Sequence, residues 1–169
     1  MNDDLVPRKE LFISTNQVRD VIFDAYGILT PEDQETCLQT VGISTCTALV
    51  LHFPESRTLA LAHILPTGSL ESFLYRIKRD LEGKVNEAPA FFIEDGPQGY
   101  LKYGNPHLEQ RTVQDILQYF PNAIETKKVL RDVISKDEQY INLAADKNTG
   151  VIHVYSGGYS LPKITDFWI

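Results

Sequence analysis

The sequence predicts an α+β domain in which antiparallel-rich sheets are flanked by helices. Three observations carry this. Strand-like and helix-like segments mix without a regular βαβ alternation. Two apolar runs, residues 43–52 and 57–65, are separated only by the turn formers Pro54 and Ser56, as in an antiparallel hairpin. Residues 69–82 place Leu70, Phe73, Leu74, Ile77 and Leu81 on one face of a helix.

Taken in order, residues 1–10 are polar and read as loose, and residues 11–14 and 18–23 as short ordered pieces of undecided type. Residues 26–33 read as a loop. The hairpin follows and ends at Pro66 and Gly68. Ser69 is the expected N-cap of the helix and Gly83 its stop. Arg76, Lys78 and Arg79 read as a solvated face that complements the helix dipole. Residues 90–94 are strand-like, 95–99 a turn and 100–103 another strand. Helical spacing returns at Val113, Ile116, Leu117 and Phe120, and again over 127–135, with Pro121 between them. Residues 140–145 and 151–155 form a second hairpin around Asp146 to Gly150. The tail Asp166-Phe167-Trp168-Ile169 is apolar, as expected of a segment that packs back or marks a contact surface.

Length and composition fit one domain, residues 1–169, with a proper core: 169 residues, 43% hydrophobic. A net charge of −7 argues against a general nucleic-acid or anionic-membrane surface. No apolar run approaches the roughly 20 residues of a membrane helix, and Met1-Asn2-Asp3-Asp4 has no secretory pattern. The expectation is a cytoplasmic protein without membrane insertion. Cys37 and Cys46 fit a reducing compartment and lack the partner cysteines of a common zinc motif, so no metal and no cofactor are expected.

The chemistry concentrates at Cys46 and His63. With residues 53–56 as the loop, His52 faces Arg57, Val50 faces Leu59, Ala48 faces Leu61, and Cys46 faces His63. Opposed Cβ atoms lie roughly 4.5–5.5 Å apart, close enough for a thiol and an imidazole to interact. A slip by one would put His63 on the other face. A free thiol has a pKa of about 8.5, and a neighbouring imidazolium lowers it. The thiolate can then attack a carbonyl and the histidine protonate the leaving group. Small Gly42, Ser44 and Thr45 leave room for a substrate carbonyl near backbone N–H groups that could hold an oxyanion. On these residues alone, a buried structural cysteine is the commoner reading.

The run Thr40-Val41-Gly42-Ile43-Ser44-Thr45-Cys46, an apolar strand, and then Ala62-His63-Ile64-Leu65-Pro66 resembles the chemoreceptor glutamine deamidase (CheD) family. That family carries a T-L-G-L-G-S-C-like run and an A-H-x-x-L-P-like segment; here one residue fewer precedes the proline. Toxin deamidases of the cytotoxic necrotizing factor type share the Cys–His constellation. The resemblance covers residues 40–66 best. It implies a CheD-like layered fold with a β-sandwich-like core. It also implies a Cys-His-Thr triad: Cys46 as nucleophile, His63 as general base and acid, Thr40 orienting the histidine, with Ser44 and Thr45 in the oxyanion neighbourhood. The implied activity is hydrolytic deamidation of a target protein's glutamine to glutamate with release of ammonia. Departures stand beside it. Ser44-Thr45 replaces the usual Gly-Ser, and the family's F-G-G and I-G-x-R-N-like runs are missing, with Phe91 to Gly96 near where the former would fall. They point to a protein substrate other than a chemoreceptor, such as the host target of a translocated bacterial effector.

Other residues carry bland readings. His52 reads as a solvated strand-end histidine, His107 as structural or exposed, and His153 as solvent-facing. Glu94, Asp95 and Asp146 read as turn carboxylates rather than metal ligands. Gly157-Gly158 is a loop signal too weak for a phosphate site. The competing functions are a thiol transglutaminase or protease on the same site, and a non-catalytic module that keeps the fold.

Overall fold

The computed structural model describes residues 17–96, 106–125, 138–158 and 164–168. These form ten strands and two helices: β1 (Val18–Asp20), β2 (Ala25–Leu29), β3 (Cys37–Ile43), β4 (Thr47–Phe53), β5 (Thr58–Ile64), α1 (Leu70–Leu81), β6 (Ala90–Asp95), α2 (Pro106–Tyr119), β7 (Ile124–Glu125), β8 (Glu138–Asp146), β9 (Val151–Gly158) and β10 (Ile164–Trp168). The α+β class holds. The expected segments at 11–14, 100–103 and 127–135 lie outside the described residues.

One five-stranded sheet has the order β1-β3-β8-β9-β10 and the other β2-β5-β4-β6-β7. Pairings are antiparallel except β1 with β3 and β6 with β7. The alternation of β4 explains the layering. Ala48 and Val50 face the other sheet, in one apolar cluster with Leu38, Ile43, Leu59, Leu61, Phe92, Ile141 and Leu143. Leu49, Leu51 and Phe53 face the helices, in a second cluster with Phe73, Leu74, Ile77 and Ile116. Because β4 and β5 are buried on both faces, they read as near-continuous apolar runs. Each fully buried Leu, Ile or Phe contributes about 1.5–3 kcal/mol of burial energy.

Helix α1 follows its expected pattern. The Ser69 side chain accepts from the Ser72 N–H, Glu82 is the C-cap, and Phe73, Leu74, Ile77 and Leu81 are buried. Lys78 and Arg79 are exposed, but Arg76 lies over the rings of Phe73 and Tyr26, 4.5 and 5.3 Å from their centroids. In α2, Ile116 is buried, Val113 packs against the second cluster, as does Phe120 just beyond the helix, and Leu117 is exposed.

Several expectations are corrected. Half of residues 26–33 are not loop: Ala25–Leu29 is an edge strand on β5, whose Gly27 lets Val21 and Leu38 pack against its backbone. The tail agrees with its expectation of packing back: Asp166, Phe167 and Trp168 pair with β9 as part of β10. The run 43–52 is not one strand. Ile43 ends β3 in the first sheet, residues 44–46 bend, and β4 begins at Thr47 in the second. The hairpin turn is residues 54–57, so Ala48 opposes His63 and Val50 opposes Leu61. This is two residues from the expected register. A shift of two preserves the side-chain face, so His63 still points the way Cys46 does.

Candidate functional site

Thr40 and His63 meet because the chain changes sheets between them, while Cys46 makes no hydrogen bond to His63 Nε2. β3 runs antiparallel to β8 with its register broken between Thr40 and Ile43, and Gly42 has φ +71°. That left-handed conformation suits glycine, and the Gly42 N–H donates to Asn142 Oδ1 at 2.8 Å. The bulge keeps both Thr40 and Ile43 inward. The bend at 44–46 then delivers Cys46 to the head of β4.

Sheets packed face to face stand about 10 Å apart, so only a long side chain meeting a polar one can bridge them. His63 and Thr40 do this: Thr40 Oγ1 and His63 Nδ1 are 2.7 Å apart and buried. Thr40 Oγ1 also donates to the Val21 carbonyl at 2.8 Å. A hydroxyl has one proton. With that proton on the Val21 oxygen, His63 Nδ1–H must be the donor to Thr40, and Nε2 carries the lone pair. Nε2 is buried and has no hydrogen-bond partner among the described residues. The histidine is thus held in the tautomer a general base requires.

Cys46 is 8% exposed and belongs to the inter-sheet cluster. It sits two residues before Ala48, the residue opposite His63. That makes Cys46 and His63 diagonal neighbours on one face, with Cα atoms roughly 7–8 Å apart rather than directly opposed. The Cys46 carbonyl accepts from the Gly96 N–H at 2.8 Å, which docks the bend on the end of β6. A Cβ on Gly96 would fall 2.2 Å from the Ser44 carbonyl oxygen, so this close approach requires glycine.

The electrostatics differ from the expected ion pair. Burial pushes the Cys46 thiol up, partly offset by a hydrogen bond involving Thr45. Burial pushes the His63 imidazole down. Burial thus favours the neutral form of each group. The chemistry open to such a pair is proton transfer from thiol to Nε2 as an electrophile arrives.

The other expected residues are sorted by burial. Ser44 and Thr45 are partly exposed on the bend. His52 is buried, not solvated, and its Nε2 donates to the Lys147 carbonyl at 2.9 Å. Lys147 Nζ in turn donates to the carbonyls of Thr30 and Asp33, at 2.8 and 2.7 Å. This network ties the two sheets together at the opposite end of β4. Cys37 and Cys46 are both free; Cys37 Sγ meets Asp146 Oδ2 at 3.6 Å. Asp146 is the last residue of β8, and its carboxylate accepts from the N–H groups of Asn148 and Thr149 in the turn that follows. Glu94 and Asp95 are not in a turn but in β6, where Asp95 accepts from the Thr47 hydroxyl and Glu94 is buried. His153 is partly exposed in β9, Gly157 and Gly158 end that strand, and His107 falls in α2. Among the described residues, no three His, Cys, Asp or Glu side chains group as a metal site, and no helix is long and apolar enough to cross a membrane.

Three contributors to this geometry escaped the sequence reading: the Val21 carbonyl, the close approach at Gly96, and Asn142. Any residue supplies a carbonyl, so nothing in a sequence marks Val21. Gly96, directly after a strand-like run, carried a readable signal for close backbone approach. No protein-family model matches the sequence, and no curated protein matches it.

Proposed function

We propose that this protein is a cysteine-dependent protein-glutamine deamidase of the CheD type, with Cys46, His63 and Thr40 as its triad. The observation that carries this reading is the hydrogen bond between Thr40 and His63 across the two sheets. It leaves Nε2 bare on the face and at the end of β4 where Cys46 sits. The motif resemblance supplies the substrate class.

In this mechanism a glutamine carboxamide enters beside Cys46. Nε2 takes the thiol proton as sulfur attacks the carboxamide carbon. The Nδ1–H bond to Thr40, itself held by the Val21 carbonyl, stabilises the imidazolium that forms. Backbone N–H groups of the 44–46 bend are the candidates to receive the oxyanion. The imidazolium returns its proton to the departing nitrogen, ammonia leaves, and a thioester remains. Water, deprotonated by Nε2, hydrolyses the thioester to glutamate and restores the thiol. Departures from the family outside residues 40–66 direct the substrate search beyond chemoreceptors.

The test is a proteome incubated with wild type or Cys46→Ala and searched for Gln→Glu conversions with ammonia release. Sites converted only by wild type are expected; equal conversion by Cys46→Ala refutes the reading. Incorporation of an added small amine would make the chemistry transglutamination instead. The upward pKa of Cys46 favours one competing reading, a non-catalytic binding module. That reading predicts a partner bound equally by wild type and Cys46→Ala, with no conversion.

A further inference from the structure

We infer that Ile22, Phe23 and Val41 form the surface that seats the protein substrate, by gripping a large apolar side chain a few residues along the chain from the target glutamine. The inference rests on the deamidase reading above for its occupant, and it adds which glutamines the site takes. Three of the six exposed large apolar side chains among the described residues gather at one rim: Ile22 at 69%, Phe23 at 66% and Val41 at 56%. Strand β1 brings them together. It runs parallel to β3 with Asp20 opposite Gln39. Two bonds carry that pairing one step further: the Val21 N–H donates to the Gln39 carbonyl at 2.7 Å, and Thr40 Oγ1 donates to the Val21 carbonyl. Val21 and Thr40 are both buried, so the next pair, Ile22 and Val41, shares the outward face. Phe23 and Asp24 then form the turn that crosses to the second sheet, where Ala25 opposes His63. Asp24 has φ +57°, in the left-handed region. The turn thus carries backbone strain and leaves two large apolar side chains in water, and neither favours folding.

This rim adjoins the Cys46 site. Ala25 opposes His63 from one side and Ala48 from the other, and Cys46 lies two residues before Ala48. Neighbouring strands stand about 4.7–4.9 Å apart, so the end of β2 where Phe23 turns off lies roughly 10 Å from the end of β4 that follows Cys46. An extended segment advances about 3.3 Å per residue, so a glutamine at Cys46 brings about the third residue to one side of it to Phe23. Three side chains at these exposures offer on the order of 300 Å², against the roughly 800 Å² per partner of a stable interface. That area suits a short segment of a transiently bound substrate, not a second copy of this chain.

Labelling of Cys46 tests this without turnover. Peptides of glycine and serine carry a chloroacetamide side chain at the glutamine position, with leucine or serine three residues before or after it. Rates at Cys46 are followed by peptide mass spectrometry in about 0.5 M salt, which screens charge effects. A leucine peptide is expected to label Cys46 about tenfold faster than its serine counterpart, the effect of half-burying one leucine. Phe23→Ser, with Val41→Ser as a second variant outside the turn, is expected to bring that ratio below about threefold. The serine peptide's rate is expected to stay at its wild-type value, which a distorted site would not allow. Ile124→Ser removes an exposed side chain on β7, the far edge of the second sheet, and is expected to leave the ratio intact. Equal rates for leucine and serine peptides overturn the inference, as does a ratio that neither Phe23→Ser nor Val41→Ser lowers. So does a Cys46 closed to every peptide, or a wild-type dimer in sedimentation that Phe23→Ser dissolves. If the ratio behaves as expected but the matching glutamine peptides release no ammonia, the deamidase reading fails and the apolar rim stands as a peptide-binding surface.

Discussion

Gly96→Ala tests whether the cysteine is positioned as described. The added Cβ would lie 2.2 Å from the Ser44 carbonyl oxygen, 2.5 Å from the Ser44 carbonyl carbon and 2.7 Å from the Ile43 oxygen. Ordinary contact begins at 3.4 Å, so the two backbones must part by roughly 1 Å. No side chain can rotate to absorb this, because all three atoms are main chain. Overpacking of this kind costs about 1–3 kcal/mol. The displaced segment is the 44–46 bend, and a 1 Å misplacement of a reacting group costs about a hundredfold in rate. The expected result is a urea midpoint lowered by the corresponding amount at unchanged m, together with deamidation slowed about a hundredfold. Gly68→Ala serves as control. Its Cβ would meet Ile64 Cγ2 and the Leu65 oxygen at 3.1 Å, which shifts of a few tenths of an ångström relieve. Gly96→Ala with wild-type stability and wild-type Cys46 reactivity would show that β6 does not clamp the bend.

Three further predictions follow from the same geometry. Thr40→Val removes the partner of both the Val21 carbonyl and His63 Nδ1–H. It should cost about 2–4 kcal/mol in urea unfolding and 10²- to 10⁴-fold in activity, with Thr40→Ser recovering part of each. Because His63 is pushed down and Cys46 up by burial, kcat/KM should stay flat across neutrality. It should fall only below about pH 6.5, as His63 protonates, while the Cys46 alkylation profile should lie above the ordinary thiol value of about 8.5. An alkylation midpoint below that value would mean that a thiolate–imidazolium pair exists at rest. Finally, burial and then the Asp146 carboxylate push the Cys37 thiol up to about 12 from a usual 9.0. The unfolded chain loses that proton first, so stability should fall as pH rises, by about 1.4 kcal/mol per unit between about 9 and 12. Cys37→Ala should flatten this slope relative to wild type in urea titrations.

Local pattern was legible wherever one residue's neighbours along the chain decide its environment. The 3.6-residue spacing of Phe73, Leu74, Ile77 and Leu81 and the Ser69 cap defined α1, and turn residues bracketed both hairpins. Thr40, Cys46 and His63 were readable as a group only through their motif. That they share one end of the sandwich depends on contacts between distant segments. The parity of β5 was recoverable because a shift of two leaves every side chain on its face. Its register was not, because the turn at 54–57 uses Arg57 at φ +49°, a conformation that composition does not announce.

The sequence by itself determined the α+β class, the hairpins, the amphipathic helix and the residue types that carry the proposed chemistry. Tertiary structure alone decided the rest. It split residues 43–52 between two sheets, aimed the Thr40 hydroxyl at the Val21 carbonyl and so set the His63 tautomer. It also raised the Cys46 thiol by burial. The reason is physical: periodicity reports which face of an element is apolar. Hydrogen-bond direction, desolvation and cross-strand neighbours depend on atoms brought together from remote parts of the chain.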